Sequence, residues 1–324
     1  MTRYVMGRLV ESVIVLVIMS FVIYALIGLM PGDPIDLMIQ SDPRLTPADA
    51  ARLRAVYGLD KPLVERYLHW ATAALSGDFG HSRLYVRPVL EVMPDFLLNT
   101  FNLMGLTFVI SIVIAVPVGV YAALRQHSAG DYAINLACFA GISVPIFWLA
   151  LMLIILFAVL IPVLPASGVS SIGGGGFLDH ARHLVLPVVT LTIFSVGSYT
   201  RFMRASTIEV MRQDYIRTAF AKGASRNRVV LRHALRNALL PVVTIIALSF
   251  GTLFSGALIT ETMFAYPGMG KLIYDSIMGN DFNMALVALL FATLVTLLAN
   301  LAADIAYAWL DPRISYKSGG GSPR

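Results

Sequence analysis

Apolar residues in this chain come in long runs rather than in the short alternating or helical stripes of a water-facing fold. Six runs reach about 20 residues, the length that carries a helix across roughly 30 Å of hydrocarbon. They lie at about 9–30, 101–124, 133–161, 184–203, 240–260 and 284–309. The first is uncharged from Val13 to Met30 and ends in Met30-Pro31-Gly32-Asp33-Pro34. It is long for a secretory signal and has no A-x-A-like cleavage site, so it reads as a retained transmembrane helix. Pro117, Pro145 and Pro187 fall in the second, third and fourth runs. Neighbouring helices, Ser/Thr side chains or water satisfy the carbonyls such prolines free. Kinks of this kind suit a bundle that moves, and static bundles have them too.

The polar segments between the runs carry their own helix signals. Within 31–99, Thr46-Pro47-Ala48-Asp49 reads as a helix start that runs to about Tyr57 and stops at Gly58. A second start at Lys61-Pro62 leads Val64, Tyr67, Leu68, Ala71, Ala74 and Leu75 along one face before Gly77. This pair of short amphipathic helices serves either as a docking surface for an external partner or as a lid over the outer helix ends. Segment 162–183 contains Gly173-Gly174-Gly175-Gly176 and is flexible by composition. Asp179, His180 and His183 follow it, a spacing that could hold a metal, but no fourth ligand accompanies them and surface or interfacial histidines are the better reading. Segment 263–283, with Tyr266-Pro267-Gly268-Met269-Gly270, predicts a short re-entrant or surface helix between turns.

The segment 204–240 predicts two helices. Ile208, Met211, Tyr215, Ala219 and Phe220 recur at helical spacing, and Gly223 breaks the helix at its C-terminal cap. Ser225 can cap a second helix holding Val229, Val230, His233, Ala234 and Leu235, which enters the fifth run through Pro241. The result is a compact amphipathic knob. Ala219, Gly223 and Ala224 are small enough for another protein's groove to close around them. A basic helix pair lying on anionic lipid is the plainer reading. Tethering at both ends by membrane runs argues against helix-turn-helix DNA binding.

Composition agrees with the runs. Of 324 residues, 57% are hydrophobic and 13% charged, where soluble domains approach about a quarter charged. The mean hydropathy is +0.76. A single cysteine, Cys138, excludes a disulfide scaffold and Cys-based metal sites. The net charge of +5 is resolved by position: 15 of the 24 Lys/Arg residues fall in the N-terminus, the 125–131 turn, the 201–236 loop and the C-terminal tail. Positive residues stay inside, which puts both termini and that loop in the cytoplasm and removes the case for nucleic acid. Charges near membrane depth are few: Glu11, Arg201, Glu261 and Asp304. Glu261 either faces a conduit or pins the 263–283 segment, and Asp304 with Asn300 reads as an interhelical hydrogen-bonding group. No G-x-x-x-x-G-K-[ST] loop is present, since Gly270-Lys271 is followed by Leu272. H-E-x-x-H and G-x-S-x-G are also missing, so the chain reads as no enzyme by itself.

The stretch Asp214-Tyr215-Ile216-Arg217-Thr218-Ala219-Phe220-Ala221-Lys222-Gly223, followed by Arg232-His233-Ala234-Leu235-Arg236-Asn237-Ala238-Leu239-Leu240-Pro241, resembles the EAA loop of ABC importer permeases. It departs from the general E-A-A-x3-G pattern by placing Arg217, Thr218 and Ala219 before Gly223, and by a later proline. In both it is similar to the dipeptide/oligopeptide branch, which includes nickel and glutathione importers. Leu29-Met30-Pro31-Gly32-Asp33-Pro34, Tyr57-Gly58-Leu59-Asp60-Lys61-Pro62 and Gly77-Asp78-Phe79-Gly80 carry the resemblance through the first third of the chain. Thr260-Glu261-Thr262-Met263-Phe264, Tyr266-Pro267-Gly268-Met269-Gly270 and Asp311-Pro312-Arg313 extend it to the end.

The resemblance implies an all-α membrane protein with six transmembrane helices, the type I importer architecture, in a bacterial inner membrane. Residues 1–30 would be the N-terminus and first helix, 31–99 a helical extracytoplasmic segment, 100–310 a five-helix core and 311–324 a cytoplasmic tail. It implies a permease subunit for di- or oligopeptides working by alternating access. Its partners would be a second related permease, two cytoplasmic ATPase subunits holding ATP and Mg, an extracytoplasmic substrate-binding protein and membrane lipid. This chain would bind no cofactor or metal itself. Coupling to the ATPases falls to Asp214, Tyr215, Arg217, Thr218, Ala219, Lys222, Gly223, Ala224 and Ser225. Glu261, Phe264 and Pro267 are candidates for the translocation path or outer gate. The rival expectation is a secondary transporter or channel acting without an ATPase, which needs acidic relays deep in the helices; none is convincingly placed.

Overall fold

A computed structural model describes residues 2–29, 61–248 and 250–310. The expected helix over 46–57, the Met30–Pro34 and Tyr57–Asp60 motifs and the Asp311–Arg313 tail lie outside them. Among the described residues the secondary structure is helical, apart from an isolated bridge between His81 and Pro88.

Helix α1, Thr2–Gly28, carries its charges, Arg3, Arg8 and Glu11, in its first turns; from Val13 on it is apolar nearly all round and leaves Val13, Val17, Ile18 and Leu26 exposed. A helix without a polar side finds its solvent in lipid. It buries Ile23 and Ile27 against Ala285 and Leu286. Helix α2, Leu63–Leu75, starts at Pro62 and ends before Gly77 as the sequence predicts. Its packed side is the expected one only in part: Tyr67, Ala71 and Ala74 are half-buried. Tyr67 and Trp70 turn inward to meet Tyr24, with ring centroids 5.7 and 5.8 Å from it, while Val64, Leu68 and Leu75 stay exposed. The aromatic rings offer more contact area than the aliphatic stripe, and they set the helix rotation.

Helix α3, Val89–Leu124, is 36 residues long and contains Pro94 and Pro117. At about 1.5 Å per residue it outruns the hydrocarbon thickness, so it starts well before the apolar run that predicted it. The third expected span, 133–161, is not one straight helix. Helix α4, Ala129–Ser143, and helix α5, Ile146–Ile154, continued by a π-helical turn over Ile155–Leu160, meet at 97°. Pro145 causes the break. It holds Val144 extended, at φ −79° and ψ 126°, and then opens a new helix as its N-cap.

Helix α6, Phe177–Met211, spans 35 residues and buries a largely small and polar side that includes Thr190, Ser195, Gly197 and Thr200. Small residues let helix backbones approach closely in a membrane bundle. After α6 come α7, Asp214–Ala221, and the short α8, Arg226–Arg228. A π-helical turn over Val229–Ala234 then leads into α9, Leu235–Leu248. Helix α10, Phe250–Met263, α11, Met269–Met278, and α12, Phe282–Leu310, complete the order. Among the described residues four helices, α1, α3, α6 and α12, are long and apolar enough to cross a membrane, and the bent α4–α5 pair makes a fifth candidate. In the expected span at 240–260 the described residues, 240–248 of α9 and 250–260 of α10, are all helical.

The core lies between α3, α11 and α12, where Val89, Val92 and Met93 pack on Met269, Leu272, Ile273, Met284 and Val287. A second cluster joins Leu103, Ala150, Leu186, Leu191, Phe264 and Tyr266. Helix α11 is therefore an embedded helix, not one lying on the surface. Arg8 of α1 reaches Asp304 of α12 at 3.1 Å, so Asp304 does join two helices, through a partner the sequence reading did not assign to it.

Candidate functional site

Two candidate sites stand out in the fold, the knob over 204–240 and the turn between α10 and α11. The knob is built on three buried residues, Ile216, Val229 and Ala234, which pack under Val210, Met211, Ala219 and Ala224. The spacing of apolar residues instead predicts a single helical period from Ile208 through Phe220. The chain breaks that period at Arg212-Gln213: Gln213 is extended, at ψ 148°, and caps α7. The break resets the rotation, so Ile216 points inward while Tyr215 and Phe220 are 44% and 42% exposed. No proline or glycine marks it.

The far end of α7 closes as its sequence predicts. Gly223 has φ +83°, its N–H donates to the Phe220 carbonyl at 2.9 Å, and the Ala224 N–H donates to Ala219 at 3.2 Å. This is a Schellman ending, which satisfies the last carbonyls and needs a residue that enters the left-handed region cheaply. Ala219 and Ala224 provide the apolar contact that accompanies it. Thr218 donates from Oγ1 to the Asp214 carbonyl at 3.0 Å, and Arg217 reaches Asp214 at 3.5 Å on the exposed side. Ser225 occupies the N-cap position of α8, but its side chain makes no capping hydrogen bond; the Val229 N–H donates to its carbonyl instead. The structure thus gathers all nine residues assigned to coupling on one knob, with Asp214, Tyr215, Arg217, Thr218, Lys222, Gly223 and Ser225 exposed. Leu231, 67% exposed, adds an apolar side chain that the sequence reading did not single out.

At the α10–α11 turn, Glu261 is completely buried. Its Oε2 accepts the N–H groups of Gly270 at 2.7 Å and Lys271 at 3.2 Å, and its Oε1 accepts the Thr100 hydroxyl at 2.5 Å. Thr100 Oγ1 in turn accepts the Met269 N–H at 2.7 Å. A carboxylate placed this way holds the otherwise unpaired N–H groups at the start of α11. Pro267 is fastened by Asn99, whose Nδ2 donates to its carbonyl at 2.9 Å. The glycines are required by closeness. A Cβ on Gly268 would sit 2.2 Å from Glu261 Cδ, and one on Gly270 would sit 2.4 Å from Leu258 Cα. Of the two roles weighed for Glu261, the geometry is that of the pin. Phe264 and Tyr266 lie beside it in the second core cluster, and burial pushes the Tyr266 phenol up to about 12, so it remains protonated. On the other side of Thr100 is an apolar cavity of about 220 Å³ between α3 and α12, lined by Leu97, Phe101, Met104, Phe108 and Val295.

A third fastening went unread in the sequence. Asp281, at the head of α12, accepts the Ser82 hydroxyl at 2.5 Å and the Leu84 N–H at 3.0 Å, and Arg83 donates to the Gly279 carbonyl. Asp179 is occupied by the N–H and hydroxyl of Ser171, at 2.8 and 2.7 Å. His180 and His183 each pair through Nδ1 with a backbone carbonyl, of Val169 and Asp179.

Comparison with known proteins places this architecture. Residues 115–316 match the binding-protein-dependent transport system inner membrane component family, and residues 1–85 match its N-terminal counterpart. The oligopeptide transport system permease protein AppB of Bacillus subtilis (strain 168) is 37% identical over 98% of this chain and 100% of its own length. The dipeptide transport system permease protein DppB of Escherichia coli (strain K12) is 35% identical over 98% of this chain and 100% of its own. Among solved structures, an inward-facing form of the MetNI methionine ABC transporter matches with a TM-score of 0.52 at 18% identity, covering 66% of this chain and 93% of that one. That likeness speaks for the fold. The chain is a multi-pass membrane permease and belongs to the inner-membrane components of binding-protein-dependent ABC transport systems.

Proposed function

We propose that this chain forms half of the translocation path of an ATP-driven importer for di- or oligopeptides. The observation that carries the reading is the knob, a small helix held on Ile216 with Tyr215, Phe220 and basic residues turned outward. Such a projection fits a groove on another protein, and its packed base lets a push on α7 reach α6 and α9 without dissipating in a flexible loop. Its partners are two cytoplasmic ATPase subunits, which bind ATP and Mg, with this chain supplying no nucleotide site. A second related permease forms the other half of the path, and an extracytoplasmic binding protein delivers the peptide. The names of AppB and DppB support the peptide class.

The distribution of Lys and Arg supports a cytoplasmic knob with both termini on the same side and the 31–99 segment outside. Six spans follow if α9 and α10 together make the fifth run. ATP binding closes the ATPase pair, the knob is displaced, and the helix bundle switches from inward-open to outward-open. Glu261, Phe264 and Pro267 keep the outer gate in shape by fixing α11, and they do so without touching cargo.

The test is the complete complex in proteoliposomes with Gly223→Pro. Proline cannot adopt φ +83° and has no N–H for the Phe220 carbonyl. Uptake and substrate-stimulated ATPase are both expected to fall to background. Full retention of both, or uptake by the lone chain driven by an ion gradient, would overturn the proposal.

A further inference from the structure

At the base of the knob, α6 is fastened to α4 by a part-buried ion pair. Arg204 donates from Nε to Asp131 Oδ1 and from Nη2 to Asp131 Oδ2, both at 2.7 Å. The Asp131 side chain is 3% exposed and that of Arg204 24%. Asn135 Nδ2 donates to Oδ1 at 2.8 Å and the His127 N–H donates to Oδ2 at 3.0 Å. A carboxylate offers about four acceptor directions, and here each has a donor. The turn carrying Asp131 is itself rigid. The Ser128 hydroxyl accepts the Asp131 N–H as an N-cap and donates to the Arg125 carbonyl, while His127 sits at φ +62°. Arg226, at the start of α8, donates to the Leu124 carbonyl at 3.2 Å, so the knob touches the same turn from its other end.

Stability alone does not call for this arrangement. Buried ion pairs are often replaced by well-packed apolar residues at no loss, whereas a forked pair fixes the distance and rotation between two elements. The two elements here are significant. Arg204 lies on the last turns of α6, which run straight into the knob, and Asp131 opens α4, which runs to the 97° bend at Pro145. Beyond the bend, Ala150 of α5 packs in the cluster that holds Phe264 and Tyr266. We propose that Asp131 and Arg204 are positioning residues of the coupling step: the fork makes α4 follow α6, so displacement of the knob reaches the bend and the outer half of the bundle. The inference rests on the importer reading above.

The experiment measures peptide transported per ATP hydrolysed by the whole complex in proteoliposomes. Two variants are compared with the unmodified chain. Asp131→Leu with Arg204→Met removes the charges and keeps apolar volume, and Arg204→Lys keeps the charge but loses the fork. Both are expected to assemble, and the double variant should lose at least about fivefold in peptide per ATP, the lower range of coupling between linked sites. Arg204→Lys should fall between the two. An unchanged ratio in the double variant, with uptake and hydrolysis falling only in proportion, would overturn the proposal. So would failure of both variants to assemble, which would make the pair a structural fastener. If the unmodified complex itself does not couple hydrolysis to uptake, the importer reading fails first, and that control separates the two.

Discussion

Glu261 holds two backbone N–H groups and one hydroxyl where no water reaches, and that fixes the effect of removing it. In Glu261→Ala all three donors stay buried without an acceptor, at about 1–3 kcal/mol each. We expect a clear drop in the thermal midpoint of the detergent-purified protein and faster hydrogen exchange at Gly270 and Lys271; wild-type exchange there would remove Glu261 from its role as pin. Gly270→Ala should destabilise through overpacking by about 1–3 kcal/mol, because the new methyl meets backbone at Leu258. Gly7→Ala, with nothing within 4 Å, should be neutral or slightly stabilising and serves as the contrast. The sequence places a carboxylate at the end of an apolar run and a glycine-rich turn after it. It does not choose between conduit and pin, because that choice depends on Thr100, 161 residues away.

The knob shows what one element's rotation decides. Ile216→Ala is expected to lower local stability by about 2–4 kcal/mol, read as accelerated hydrogen exchange across 214–224, since it empties the centre of the knob. Tyr215→Ala and Phe220→Ala should leave that exchange unchanged and still reduce substrate-stimulated ATPase of the complex. If they loosen the knob as Ile216→Ala does, they are core residues and the proposed contact face is wrong. Gly223 was legible because a C-terminal cap is a local matter, settled within one helical turn. The break at Arg212-Gln213 was not, since it carries no sequence marker and follows from how Ile216 seats under Val229 and Ala234. The bend between α4 and α5 sits between these cases. Pro145 announces an interruption, but the 97° angle comes from packing.

For the whole molecule, the testable quantity is sidedness. Cys138 is buried, so a background with Cys138→Ser accepts single reporter cysteines cleanly. Ile172→Cys, at a fully exposed position in the loop before α6, should react with a membrane-impermeant maleimide in intact cells. Leu231→Cys on the knob should react only after permeabilisation. The reverse pattern would invert the orientation and put the knob out of an ATPase's reach.

The amino-acid sequence by itself determined the solvent, the helical class, the approximate place of most spans and the cap at Gly223. These depend on mean apolarity over about 20 residues or on dihedral preferences within a few, and both are local quantities. The tertiary structure alone decided that Trp70 turns inward, that Glu261 is a pin and that α4 is forked to α6. Each rests on a pairing between residues far apart in the chain, such as Asp131 with Arg204, separated by 73 positions. A charge in a sequence states only that a partner is needed; which one it meets is fixed when the helices pack.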